Sequence, residues 1–131
     1  MSHFSEVKTR LGNTKILKKA LIAMGHTVVD SNEGTIVRGY MGNTLPAEFK
    51  ILTSTHYDIG FVRDEQGNYQ VVGDWELMPR VAGITQEDFV KSLKRNYAKV
   101  AIGEIAKTQG YDIQCVEDET SQNIEMVVTQ W

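Results

Sequence analysis

The sequence predicts an α+β fold, a two-layer sandwich in which a largely antiparallel sheet carries two helices on one face. Three observations carry that expectation. Two stretches show apolar residues at helical spacing, the segments around them alternate with a period of two, and neighbouring strand-like segments are joined by turns too short for a parallel crossover. The expected order is β-α-β-β-β-β-α-β-β in one domain spanning 1–131, a relative of the ferredoxin-like split β-α-β arrangement.

Each element has its own signal. "MSHFSEVKTRL" places His3, Val7 and Leu11 on one side and Phe4, Glu6 and Lys8 on the other, which reads as a strand with His3 as a partly buried, hydrogen-bonded member. In "GNTKILKKALIAMGH", Asn13 is a candidate N-cap, Leu17, Ala20, Leu21 and Met24 recur at helical spacing, and Gly25 suits a left-handed C-cap. After the turn-rich "DSNEG", strands are expected at "TIVRGY" and "AEFKILTS". "HYDIGFVRD" and "NYQVVGDW" then flank "DEQGN" as a hairpin, with Tyr57, Ile59 and Phe61 on one face. The second helix starts at the cap Thr85, runs inward through Phe89, Leu93, Tyr97, Val100, Ala101 and Ile105, and stops at Gly110. Two strands, "YDIQCV" and "NIEMVVTQW", finish the chain, and the last is expected beside the opening strand.

Composition narrows the function classes. The chain is 41% hydrophobic and 24% charged, with a net charge of -3, which argues against a dedicated nucleic-acid binder. No apolar run approaches the roughly 20 residues needed to cross a bilayer, and no secretory signal is expected. The single cysteine, Cys115, fits a reducing compartment and reads as a small buried hydrophobe. Charge is unevenly distributed: residues 1–19 hold five cations against Glu6, residues 91–107 hold five against Glu104, and the remainder sums to -11. Two basic helices on one side of a sheet would give the molecule a basic layer.

The opening "MSHFSEVKTRL", the helix "LKKALIAMGH", the later "NYAKVAIGEIAKTQGYDI" and the end "IEMVVTQW" together resemble the hypothetical chloroplast open reading frame thirty-five family of cyanobacteria and algal plastids, a domain of unknown function. The resemblance implies a photosynthetic host or a virus of one. It also implies a cytoplasmic location: cyanobacterial cytoplasm, plastid stroma or infected-host cytoplasm. It transfers no catalytic residue.

The chemistry-bearing residues form no recognisable signature. His3, His26 and His56 lack metal-site spacing, no phosphate-loop pattern occurs, and neither cofactor nor metal is expected. The leading expectation is therefore a non-enzymatic binding or adaptor protein that holds a protein partner through Lys15, Lys18, Lys19, Lys91, Lys94, Arg95 and Lys99. The rival is a small-ligand or enzyme pocket around His56, Asp58, Asp74 and Trp75, since residues two apart in a strand share a face. A plain polar, water-facing sheet surface is the simpler reading of those acids. Trp75 and Trp131 are the aromatic anchors to watch, and a homodimer through a free sheet edge or face is the third reading.

Overall fold

The computed structural model describes residues 4–109, 111–118 and 123–130. His3, Gly110 and Trp131 therefore lie outside the described residues. The elements are β1 (Ser5–Lys8), α1 (Thr14–Ala23), β2 (Thr27–Arg38), β3 (Thr44–Leu52), β4 (Asp58–Arg63), β5 (Tyr69–Gly73), α2 (Met78–Val81), α3 (Gln86–Gln109), β6 (Tyr111–Asp118) and β7 (Asn123–Gln130). Five strands form an antiparallel sheet in the order β1-β5-β4-β3-β2, and β6 and β7 form a separate hairpin. The fold is the expected α+β class, with both long helices contributing to the core on one sheet face. Antiparallel pairing throughout makes β1 and β2 parallel at opposite edges. The structure is thus a widened split β-α-β, with three strands between the pair that α1 connects.

The helix ends follow their sequence signals. Asn13 Oδ1 accepts the Ile16 N–H at 3.0 Å, and Gly25 leaves α1 at φ +90°, a conformation that suits glycine. Thr85 Oγ1 accepts the Asp88 N–H at the start of α3. From α1, Leu17, Ala20 and Leu21 are buried; from α3, Phe89 and Leu93 are buried while Tyr97 and Val100 pack against the same cluster. They meet Phe49, Ile51, Ile59, Phe61, Tyr69 and Val71 from β3, β4 and β5. Phe49 stacks on Phe61 with centroids 4.8 Å apart and meets Tyr69 edge-on at 5.5 Å. Each such fully buried apolar side chain contributes roughly 1.5–3 kcal/mol by transfer from water.

Four expectations need correction. β2 starts at Thr27, not after "DSNEG". That segment lies inside the strand as an irregularity between Asp30 and Thr35, where Gly34 takes φ +85° and the register with β3 shifts. β1 pairs with β5 and β7 with β6, so the closing strand is not β1's neighbour. The inward stripe of α3 ends before Ile105, which is 57% exposed, and Ala106 is buried in its place. Finally, Asp58 does not face water: it is completely buried.

The last point follows from β2 and β3 covering part of the second sheet face. Gly60 lies between Ile59 and Phe61 in β4 and so points away from the helices. A β-carbon there would come within 2.2 Å of Val37 Cγ2, which shows how closely β2 lies over this face. Val37 and Ala47 are buried there.

Candidate functional site

The helices place their cations in one layer. α1 carries Lys15, Lys18 and Lys19 with no acid, and α3 carries Lys91, Lys94, Arg95, Lys99 and Lys107 against Glu87, Asp88 and Glu104. The layer is therefore formally +5 while the chain as a whole is -3. Inward Leu17 and Leu21 turn the α1 lysines outward, and Lys19 pairs with Glu104 across the two helices. That hydrogen bond, reinforced by the charges of Lys19, Lys15 and Lys107, holds the Glu104 carboxyl below its ordinary pKa. Lys18 pairs with Asp30, and its ammonium lies 5.1 Å from the centre of the Phe49 ring. Lys91 pairs with Glu87 one turn back at 3.1 Å. Lys15 and Lys94 are exposed, and Arg95 and Lys99 are half-buried.

Asp58, Asp74, Trp75 and His56 do different jobs. His56 is exposed in the turn before β4 rather than in the strand. Asp74 is buried, and its Oδ1 accepts the Leu77 N–H at the approach to α2. Trp75 is buried with its ring 5.9 Å from Phe89, and its indole N–H has no hydrogen-bond partner among the described residues. Asp58 is saturated: Oδ2 accepts from the Arg38 backbone N–H (2.8 Å), Arg38 Nε (2.9 Å) and Lys50 Nζ (3.0 Å), and Oδ1 accepts from Arg38 Nη2 (2.8 Å). Burial on its own would raise this carboxyl's pKa. The bonds from Arg38 and Lys50 outweigh it and hold the group below its ordinary value. The arrangement clamps β2 to β3 and β4, and the carboxylate, fully buried beneath four donors from Arg38 and Lys50, is turned to that clamp and not to a cleft. Among the described residues, no three or more His, Cys, Asp or Glu side chains gather as metal ligands would.

Several clefts among the described residues offer more room. One of about 510 Å³, between the end of α1 and the first turns of α3, is lined by His26, Phe89 and Arg95 among others. The His26 ring lies 5.6 Å from Phe89, and burial lowers its pKa. A second, of about 610 Å³, is an apolar groove of Phe4, Leu45, Pro46, Val62 and Val72. The third, of about 760 Å³, lies between the exit of β1, the β4–β5 turn and α3, and Lys8, Arg10 and Lys94 line it together. Sequence reasoning singled out Lys94 alone of these three. The signal for the others was the cation excess of residues 1–19, to which Lys8 and Arg10 contribute.

Comparison with known proteins agrees with the resemblance drawn from the sequence. "Uncharacterized protein ycf35" of Cyanophora paradoxa is 28% identical over 131 residues, and that of Guillardia theta 31% over 135. Each alignment covers all of this chain and 98% of the relative. The same-named protein of Pyropia yezoensis is 27% identical over 131 residues. No solved structure matches the chain. Among the described residues, no helix is long and apolar enough to cross a membrane. The family model described as "Protein of unknown function (DUF1257)" matches residues 4–127, nearly the full length, and the chain belongs to that family.

Proposed function

We propose that this protein is a non-enzymatic binding protein that holds an acidic protein partner against the α1–α3 layer, in the plastid stroma or the cyanobacterial cytoplasm. The observation that carries the reading is the packing of α1 beside α3 on one sheet face, which gathers their cations on one side of an otherwise acidic molecule. Such a charge layer raises the rate of encounter with an oppositely charged surface and selects against basic partners. Part of the charge is already neutralised by Asp30, Glu87 and Glu104, so the attraction is one of steering more than of tight burial.

The test is fluorescence anisotropy with labelled polyglutamate at low and high salt. Reversing Lys15, Lys18, Lys91 and Lys99 to glutamate together is expected to weaken binding by about tenfold or more at low salt and to flatten its salt dependence. Lys94 is left intact in this variant because it also lines the third cleft. Binding that survives the four reversals unchanged refutes the reading.

A further inference from the structure

We propose that the cleft lined by Lys8, Arg10 and Lys94 is a binding site for a small phosphate-bearing anion. The inference goes beyond the protein-partner reading, since two of its three cations lie outside the helical layer.

Backbone hydrogen bonds hold the walls of this cleft in place. Beyond β1 the chain stays attached to the start of β5: Thr9 N donates to Tyr69 O at 3.2 Å, and Tyr69 N donates to Leu11 O at 2.8 Å. The buried Thr9 hydroxyl donates to Tyr69 O at 2.5 Å and accepts the Leu11 N–H at 3.1 Å. With Thr9 turned inward, Lys8 and Arg10 on either side of it are exposed along the cleft. The opposite wall is the β4–β5 turn, where Asp64 Oδ1 accepts the N–H groups of Gln66 (2.8 Å) and Asn68 (2.9 Å) and Gly67 takes φ +83°. The third wall is α3, on which Lys94 and Tyr97 stand one turn apart. The Tyr97 hydroxyl accepts the Asn13 N–H at 3.1 Å and so ties α3 to the segment that leaves β1.

The charges inside these walls are unbalanced. Lys18, Lys19, Arg38, Lys50, Arg63 and Lys91 all have carboxylate partners, whereas Lys8, Arg10 and Lys94 form no ion pair among the described residues. Among the described residues the one acid lining the cleft is Asp64, so three cations face one carboxylate, a formal +2. That carboxylate holds the turn through two backbone N–H groups on Oδ1, and its single charge leaves the surplus in place. Like charges gathered in a concave site with low-dielectric walls focus a positive potential, and an anion relieves it.

The same charge selects the ligand. A phosphomonoester carries about -1.5 to -2 at neutral pH and three acceptor oxygens, which matches the surplus, whereas one carboxylate would leave half of it uncompensated. Arginine offers a planar fork to phosphate oxygens, and the two lysines add mobile point charges. The volume of about 760 Å³ exceeds what a lone phosphate needs and falls within the range of small-molecule sites, roughly 300–1,000 Å³. Leu11, Tyr97 and Ala98 supply an apolar surface for an organic portion.

The experiment is a titration of the full chain with sodium phosphate, glucose 6-phosphate and glucose, followed by calorimetry and by amide NMR shifts, with sodium chloride as an ionic-strength control. Saturable binding of phosphate or of glucose 6-phosphate is expected, with shifts confined to residues 8–11, 64–68 and 94–97. Tighter binding of the ester would mean that the organic part is held; equal or tighter binding of phosphate would identify the free anion as the ligand. Glucose alone should not bind. Arg10→Gln and Lys94→Gln should each weaken the interaction by about tenfold, as expected for loss of a charge-assisted contact. Lys15→Gln, on α1, should leave it unchanged. All three positions are exposed, and equal melting temperatures would show that the variants fold. The proposal is overturned if phosphate and glucose 6-phosphate give no more than the chloride control, or if Arg10→Gln and Lys94→Gln bind as the wild type does. Because the polyglutamate test leaves Lys8, Arg10 and Lys94 untouched, either reading can fail while the other stands.

Discussion

Replacing Asp58 by asparagine removes a negative charge from a fully buried side chain that two cations share. The variant keeps one acceptor oxygen but turns an amide N–H₂ toward some of the donors of Arg38 and Lys50. Removing one partner of a buried ion pair costs about 3–5 kcal/mol when the remaining charge is trapped. Here the two cations differ: the Arg38 side chain is 44% exposed and can swing into water, whereas Lys50 is 12% exposed and keeps only its bond to Ile36 O. The loss should therefore sit at the low end, about 3 kcal/mol. For a chain of this length that corresponds to a fall in melting temperature of roughly 10 °C. Urea unfolding followed by circular dichroism measures it. A loss below about 1 kcal/mol at unchanged m-value would refute the clamp, since that is within the range of an exposed pair.

The same group sets a pH dependence whose sign is fixed. The folded-state pKa of Asp58 is depressed below its unfolded value of about 3.9, so the unfolded chain takes up the proton first as pH falls. Its contribution is complete above the unfolded pKa and is lost as pH falls through the folded one. Wild type should therefore lose more stability than Asp58→Asn in acid, and the two stability curves should converge there. Replacing Arg38, Lys50 and Asp58 together by apolar residues of similar size should recover much of the loss, because no buried charge remains unpaired.

Three further outcomes test the packing. Gly60→Ala should cost about 1–3 kcal/mol, because its β-carbon would lie 2.2 Å from Val37 Cγ2; Val37→Ala in the same chain should return part of that loss in thermal unfolding. Phe49→Ala should cost about 3–5 kcal/mol, since it removes the stack on Phe61 and the edge contact with Tyr69. Asn13→Ala should cost about 1 kcal/mol through loss of the bond from the Ile16 N–H, and hydrogen exchange should show early opening confined to the first turn of α1.

The parts of the fold legible in the sequence were those set by local chemistry. The caps Asn13 and Thr85 and the glycine after α1 act within a turn or two, and the periodicities of α1, β4 and β5 report which side each buries. β2 was harder to read because "DSNEG" has turn composition, yet Gly34 lets the strand continue through an irregularity instead of ending. Strand neighbours are a non-local choice. Nothing in "IEMVVTQW" says that β6 rather than β1 will pair with it.

Asp58 shows why the site was less legible than the fold. Alternation placed it on the face away from Ile59 and Phe61, and that much is so; the further step, that this face meets water, fails because Arg38 arrives from β2, twenty residues back in the chain. Cations raise the same difficulty. The pairing of Lys91 with Glu87 can be read from a four-residue spacing, but that of Lys19 with Glu104 spans 85 positions, so counting lysines along the chain cannot separate paired from unpaired ones. Number along the chain therefore points to the α1 and α3 lysines, although Lys18, Lys19 and Lys91 are among those already neutralised. Lys8 and Arg10, which form no ion pair among the described residues, count in the sequence only toward the cation excess of residues 1–19. What distinguishes them is that the β4–β5 turn and α3 close around them with Asp64 as the single acid among the described residues, a property of the assembled surface and not of any one element.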